Sequence, residues 1–190
     1  MSDFEKDIIS SLNRDIIDLR CANTQSILRG IVLIHSNELL LLYRIEDGYY
    51  HDGFTLLRKC DIKEYRIYDS DDYFIKRAQS RFHLFPQENM ILPVNTIQNF
   101  LVLLKDKYPL IGVYKKKSKD NLVWIGKFIC TTRKYVLLKE LDDEAQWDGT
   151  FRHKLDSIIR IEYGTRYLKR LWRMQQCEKK LNISSHLTRF

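Results

Sequence analysis

Short apolar runs separated by polar breaks dominate two stretches of the chain, and they predict β-strands. In the first stretch, the segments SILRGIVLIH and ELLLLYRI are rich in Ile, Leu and Val and are divided by a Ser-Asn break. The EDG segment that follows supplies turn chemistry because Asp-Gly tolerates positive φ. Two further predicted strands are FTLLRKC and IKEYRIY. The second stretch repeats this order with NLVWIGKFICT, KYVLLKEL, GTFRHKL and SIIRIEY, and an extra strand, LIGVYKKK, is expected to precede it as a hairpin partner.

The two stretches also match residue by residue. An offset of 96 residues places six identities within positions 30–53, among them Gly30 on Gly126 and Asp52-Gly53 on Asp148-Gly149. A match at a fixed offset is the sign of a duplicated unit. With one residue deleted, the alignment extends to three further pairs: Thr55 on Thr150, Lys59 on Lys154, and Asp61 on Asp156. We therefore predict an internal repeat whose strand glycines mark bulges or bends.

Apolar positions at helical spacing predict four helices around these strands. Residues 2–20 begin with Ser2 and Glu5 at the spacing of a capping box. Their predicted apolar face consists of Phe4, Ile8, Leu12, Ile16 and Leu19. The other helices are expected at about 71–84, from Asn95 to just before Pro109, and at about 165–181.

These elements predict an α+β chain with two tandem small antiparallel β-barrels, each flanked by helices. Residues 1–85 would form the N-terminal helix, the first barrel and the following helix. Residues 95–181 would form a helix, the second barrel and the C-terminal helix, and residues 182–190 a mobile tail. The segment at 85–95, with two prolines, is the expected junction.

A bent meander with a strand glycine, preceded by a helix, resembles the Sm-like and SH3-like small barrels. The segments RGIVLIHSNELLLLYRI and IGKFICTTRKYVLLKEL, each continued by a strand after Asp-Gly, are also similar to uncharacterised bacterial proteins with tandem barrels of this kind. The resemblance covers about 25–68 and 110–162. Sm-like RNA-binding proteins carry an Asp and an Asn in a loop that corresponds here to EDGYYHD and DDEAQWD, which lack the Asn. The resemblance therefore implies the fold and no binding residues.

Composition indicates which partners and which cellular compartment to expect. The 32 Lys and Arg against 25 Asp and Glu give a net charge of +7, which favours anionic partners without identifying one. The longest apolar run is far shorter than the roughly 20 residues of a membrane helix, and the acidic N-terminus has no apolar signal core. The four scattered cysteines are typical of a reducing compartment. We expect a cytoplasmic protein with no membrane association.

No sequence motif supports catalysis, a metal or a cofactor. The five histidines have no zinc-ligand spacing, and phosphate-loop and nucleophile-elbow motifs are missing. His51 beside Asp52 could be an acid–base pair, but its repeat counterpart is Trp147. Structural roles are favoured for Asp61 and Asp156, which precede predicted strands. We likewise interpret Asp52, Gly53, Asp148 and Gly149 as turn residues, and we expect no enzyme activity.

Two basic segments are candidate nucleic-acid sites. One is the predicted hairpin tip with Lys115, Lys116, Lys117 and Lys119, and the other is the last helix with Arg166, Lys169, Arg170 and Arg173. Such residues can neutralise phosphates, and the nearby Tyr167 and Trp172 could stack on bases. The alternative interpretation is solvated charge over aromatic side chains that pack on the barrel.

The aromatic residues of the predicted turns suit a protein-binding module. Peptides bind small barrels by strand addition or in aromatic grooves, and the residues considered are Tyr49, Tyr50, Phe54 and Trp147. The sequence thus favours a non-catalytic binding or scaffolding protein with protein partners first, and RNA or DNA binding through 115–119 and 166–173 as the alternative.

Overall fold

The computed structural model describes residues 3–22, 26–46, 50–68, 95–116 and 122–187, with side chains of the last range described as far as residue 177. Three helices are present in these ranges: α1 (Asp3–Ser11), α2 (Ile97–Leu104) and α3 (Arg166–Leu187). The first half of the chain contributes five strands: β1 (Ile16–Cys21), β2 (Ile27–His35), β3 (Leu39–Glu46), β4 (Tyr50–Arg58) and β5 (Ile62–Ile67). The second half contributes β6 (Ile111–Lys115), β7 (Val123–Thr131), β8 (Tyr135–Leu141), β9 (Trp147–Lys154) and β10 (Ile158–Tyr163).

All ten strands belong to one antiparallel sheet, with the order β5-β1-β2-β3-β4-β10-β6-β7-β8-β9. The prediction of an α+β fold with two tandem Sm-like or SH3-like barrels is therefore wrong. Neither half closes on itself; instead, the sheet runs on from one half to the other, and the helices are a minor component. The predicted hairpin between the extra strand and the next is confirmed, since β6 pairs with β7.

The two halves join where β4 pairs with β10, and we refer to this pairing as the seam. Leu56 lies opposite Ile161 and Leu57 opposite Arg160. Strand β10 also pairs with β6 on its other side, so the last strand of the chain lies between the halves. The Arg58 guanidinium strengthens the seam by donating hydrogen bonds to backbone carbonyls about 100 residues away, those of Ile158 (2.8 Å) and Leu155 (3.0 Å).

The 96-residue offset recurs in the geometry of the strands. Gly30 lies opposite Arg44, and Gly126 lies opposite Glu140. A Cβ at either glycine would lie 2.4 Å from the carbonyl oxygen of the neighbouring strand, so both positions require glycine for close strand approach. Both β2 and β7 carry a register shift shortly after the glycine, and a 3₁₀ turn follows β4 and β9 at Lys59–Asp61 and Leu155–Ser157.

The structural register corrects the end of the sequence alignment. Residue pairs in β3–β4 and β8–β9 keep the offset of 96 throughout, since Leu39 pairs with Arg58 and Tyr135 with Lys154. No residue is deleted after the Asp-Gly pair. The counterpart of Asp61 is therefore Ser157 and not Asp156.

The first predicted helix is too long. Helix α1 ends at Ser11, and residues 16–21 form β1 instead. Asn13 adopts a positive φ of 56°, and its N–H donates to the Val32 carbonyl at 2.8 Å, which turns the chain into the sheet. The predicted helix at 71–84 and the junction at 85–95 lie outside the described residues, apart from residue 95. Helix α3 extends through residues 182–187, which the sequence analysis had assigned to a tail.

Three apolar clusters fill the space between the sheet and the helices. Helix α1 packs with Ile8 against the strands of the first half. Helix α3 packs with Leu168 and Leu171 against the second half. The largest cluster combines residues of both halves with helix α2 and includes Leu41, Leu56, Phe100, Val113 and Ile161. The two halves therefore share a core.

Candidate functional site

Helix α3 carries four exposed basic side chains within two turns. Its basic side chains are spaced at i, i+3, i+4 and i+7, which places them on one side of the helix. All four are exposed, and the described side chains of the helix, residues 166–177, include no Asp or Glu. We refer to this surface as the basic face; it consists of Arg166, Lys169, Arg170 and Arg173.

The start of α3 is held by contacts that orient the basic face outward. The Thr165 hydroxyl accepts a hydrogen bond from the Leu168 N–H at 3.2 Å, which is a local N-cap. The buried Asp52 carboxylate, from β4 of the other half, accepts the Arg166 N–H at 2.8 Å. Leu168 and Leu171 are buried on the opposite side of the helix. The cations therefore face solvent.

Aromatic side chains accompany the basic face. Tyr167 is 56% exposed and Tyr50, on β4, is 52% exposed. The Arg166 guanidinium lies 5.8 Å from the Tyr50 ring centroid. Trp172 is half-buried and packs against the apolar cluster beneath α3. The surface thus combines cations with accessible rings, as single-strand binding surfaces do.

A charged cleft of about 460 Å³ lies beside the basic face, where the seam meets α3. Arg166 and Arg170 line one side of it. In its floor, Arg44 contacts Glu162 at 2.5 Å and Glu46 at 2.6 Å, and the Tyr114 hydroxyl donates to Glu162 at 3.0 Å. We refer to this cavity as the seam cleft. Its described carboxylates at positions 46, 52 and 162 are each paired with an arginine.

Tyr114 keeps its proton in the seam cleft. Burial and the Glu162 carboxylate raise the pKa of Tyr114 to about 12, so this phenol keeps its proton and acts as a donor. The Arg160 guanidinium lies 3.5 Å from the Tyr114 ring centroid and 3.4 Å from Glu162, while its Nε and Nη1 have no hydrogen-bond partner. These groups form a network of paired charges that links the halves.

The residues of this network were not predicted from the sequence. Arg44, Arg160 and Glu162 interrupt apolar strands, and a charge within a buried strand must be paired. The sequence therefore indicates that these charges are paired. It does not show which residues pair, because Arg44 and Glu162 are 118 positions apart.

The lysines of the predicted hairpin tip do not belong to the basic face. The Lys115 ammonium lies 3.8 Å from the Trp124 ring centroid, and burial lowers its pKa. Lys116 contacts Asp61 at 3.2 Å. Lys117 and Lys119 lie outside the described residues. The two described lysines are thus engaged within the fold and do not join Arg166–Arg173.

The two Asp-Gly pairs lie within strands β4 and β9, and their surroundings differ. Asp52 is buried against α3, whereas Asp148 is exposed. Gly53 has a φ of +75°, and Gly149 one of 158°. Asp52 contacts Arg166, and Asp61 contacts Lys116.

His51 makes contacts of its own instead of pairing with Asp52. Its Nε2 lies 2.9 Å from the Gly53 carbonyl oxygen, and its ring stacks on Tyr43 at 3.9 Å between centroids. Burial lowers the pKa of His51. Its imidazole therefore belongs to an aromatic stack within the sheet.

A second buried polar cluster lies on β8 and β9, in the second half of the chain, and was not predicted from the sequence. His153 is 2% exposed, and its Nε2 lies 2.5 Å from a Glu140 carboxylate oxygen. Burial and the nearby Lys115 ammonium lower the pKa of His153 to about 4, and burial raises the pKa of Glu140. The corresponding position of the first half is Leu57, so this cluster is not a repeated feature.

Within the described ranges, no three His, Cys, Asp or Glu side chains are arranged to hold a metal ion. No helix there is long and apolar enough to cross a membrane. Comparison with known proteins gives no further assignment, because no family model, no curated protein and no solved structure matches this chain.

Proposed function

We propose that the protein is a non-catalytic nucleic-acid-binding protein that holds single-stranded RNA or DNA on the basic face of α3. The observation that carries this proposal is the basic face itself: four exposed cations on one helical stretch without a carboxylate among its described side chains. Phosphate neutralisation by Lys and Arg supplies most sequence-independent affinity for nucleic acids. The exposed Tyr167 and Tyr50 suit unpaired bases, which can stack on aromatic rings.

The contacts made by the other basic segment support placing the nucleic-acid site on α3. Lys115 and Lys116 are engaged with Trp124 and Asp61, so they contribute less free charge than their sequence indicates. Lys169, Arg170 and Arg173 form no ion pair with a described residue. Nucleic acid therefore precedes a protein partner in our proposal, which reverses the order favoured by the sequence. The free cysteines at 60 and 130, both exposed, support a reducing, cytosolic location.

The test is a salt titration of binding to an oligoadenylate RNA of about 12 nucleotides, within the site sizes of known single-strand binders. We expect Arg170→Glu combined with Arg173→Glu to weaken binding and to flatten the slope of log affinity against log salt by about 1.4, since each phosphate contact contributes about 0.7. The matched control is Arg133→Glu with Lys134→Glu, which makes the same charge change at exposed residues of the β7–β8 turn. Absence of binding by the unmodified protein at low salt would refute the proposal, as would an equal effect of both double variants.

The open edges of the sheet favour a second candidate, a protein partner bound by strand addition. Strands β5 and β9 end the described sheet, and each exposes an aromatic side chain: Tyr65 at 37% and Phe151 at 42%. Exposed edge strands are templates for pairing with another chain.

Affinity capture from the native cell with and without nuclease distinguishes the two candidates. A partner that survives nuclease and is lost with Phe151→Asp supports strand addition. The control is Val102→Asp, at an exposed apolar position on α2. Loss of all captured protein on nuclease treatment would contradict this second candidate.

A further inference from the structure

A small cavity lies beside the basic face, and aromatic and basic side chains line it. Its volume is about 240 Å³, and it lies where the α2–β6 connection meets the start of α3. Leu110 and Leu168, both buried, contribute apolar surface to it. We refer to it as the Trp172 cavity, after the half-buried indole in its lining. It is distinct from the seam cleft, with which it shares only Leu168 among the described lining residues.

Two aromatic side chains in the lining are held in place by the fold. The Tyr108 ring makes an edge contact with buried Tyr163, at 4.7 Å between centroids. A Cβ at Gly164 would lie 2.9 Å from a Tyr108 ring carbon, and the φ of Gly164 is +67°, so this position requires glycine. Trp172 packs on the apolar cluster under α3. Both residues are half-buried, and both line the cavity.

Charge at the cavity is of one sign. Lys107, Lys169 and Arg173 line it, and all three side chains are exposed. No described carboxylate is part of the lining; Asp106 is adjacent to Lys107 in sequence but lies outside it. None of the three cations forms an ion pair with a described residue. A ligand here would gain from carrying a negative charge next to a flat apolar group.

From this combination we infer that the Trp172 cavity binds one nucleotide of the strand, with the base against Trp172 or Tyr108 and the phosphate near Lys169 and Arg173. The volume suits a single base, since it is below the roughly 300 Å³ at which sites for larger organic ligands begin. Lys169 and Arg173 belong to the basic face as well, so the cavity is continuous with the proposed backbone path. This inference rests on the proposed function and gives it a specific base-stacking site.

The experiment combines a change in the protein with a change in the ligand. The full chain is titrated with the oligoadenylate and with an abasic strand of the same length and charge. We expect the unmodified protein to bind the abasic strand about tenfold more weakly, in the range measured for base–aromatic stacking. Trp172→Leu should lower oligoadenylate affinity by a similar factor, leave the salt slope unchanged, and remove the preference for bases.

The matched control is Trp147→Leu, since Trp147 is also half-buried against the same apolar cluster but does not line the cavity. Should Trp172→Leu fail to fold, Lys107→Glu replaces it, because Lys107 is exposed and lines the cavity without belonging to the basic face; this variant should flatten the salt slope by about 0.7. Equal binding of the two strands by the unmodified protein overturns the stacking site while the proposed function stands. Absence of any binding refutes both.

Discussion

At the residue scale, the two Asp-Gly pairs show that equal sequence does not mean equal function. Gly53 requires glycine because a Cβ there would lie 2.5 Å from the Tyr163 carbonyl oxygen and 2.6 Å from the Thr165 nitrogen, at a φ of +75°. A Cβ at Gly149 would meet only the end of the Phe151 ring, at 3.2 Å. The first glycine therefore lets β4 approach the start of α3, and the second has no such task.

We expect Gly53→Ala to lower the free energy of unfolding by more than about 2 kcal/mol, because the left-handed backbone costs about 1–2 kcal/mol and the clash with backbone atoms adds to it. Gly149→Ala should cost less than Gly53→Ala, because its φ of 158° is also rare for other residues but its Cβ would meet only a ring that can move aside. Urea denaturation of both variants measures the difference. Equal losses would contradict the asymmetry of the two halves.

The buried His153 predicts a pH dependence of stability. Its pKa is about 4 in the folded protein and about 6.5 when unfolded, so the unfolded chain binds the proton more readily. The free energy of unfolding should therefore fall as the pH falls from about 6.5 towards 4, by at most about 1.4 kcal/mol per pH unit. The raised pKa of Glu140 acts in the opposite direction at the lower end of this window.

Replacement of His153 by Leu, the residue at the equivalent position 57, removes the proton-binding group. We expect the variant to lose less stability than the unmodified protein between pH 7 and pH 5 in parallel urea denaturations. An identical pH profile for the two proteins would show that His153 does not titrate in this way.

At the element scale, helix α3 depends on a cap from the other half of the chain. Asp52 accepts the Arg166 N–H at 2.8 Å and is itself buried. Asp52→Ala should lower the free energy of unfolding by about 1–3 kcal/mol, as expected for a lost cap with a charged acceptor. The exposed counterpart offers the control, since Asp148→Ala should change stability by no more than about 0.5 kcal/mol. Thermal denaturation followed by circular dichroism checks both values.

The spacing of apolar residues predicted most helices and strands correctly and one strand incorrectly. Strands β2 to β5 were predictable because they are short runs rich in Ile, Leu and Val bounded by turn residues, and helix α3 because its apolar positions recur at helical spacing. Residues 16–21 were not, since Ile16 and Leu19 are spaced as on a helix and are equally compatible with a strand. Asn13 adopts a positive φ and ends the helix, and the spacing of the apolar residues gives no sign of this break. The basic face was predictable because its four cations share one helix.

At the scale of the whole molecule, the shared core predicts cooperative unfolding. The largest cluster includes Leu56 of one half and Ile161 of the other, and the seam joins them by backbone pairing. Calorimetry should show one transition, with a calorimetric enthalpy close to the van't Hoff enthalpy. Ile161→Ala should shift that transition to lower temperature without dividing it, at a cost of about 2–5 kcal/mol. Two resolved transitions would instead indicate independent halves.

The arrangement of the sheet was the part that sequence could not supply. Short connections between neighbours account for the order β1-β2-β3-β4 and β6-β7-β8-β9, but not for the pairing of β5 with β1 or of β10 with β6. The pairing of β4 with β10 joins segments about 100 residues apart, and the apolar pattern of either strand is equally compatible with a closed barrel. The seam cleft was unpredictable for the same reason, because its charged residues come from both sides of that pairing.

The position of β10 has a consequence for the protein during its synthesis. The edge of β4 that pairs with β10 lacks this partner until residues 158–163 have been synthesised. Until then, the apolar residues along that edge of the N-terminal half are not covered by β10. Arg58 likewise lacks its acceptors until residue 158 has emerged. Completion of the first half therefore has to wait until about 100 further residues have been translated.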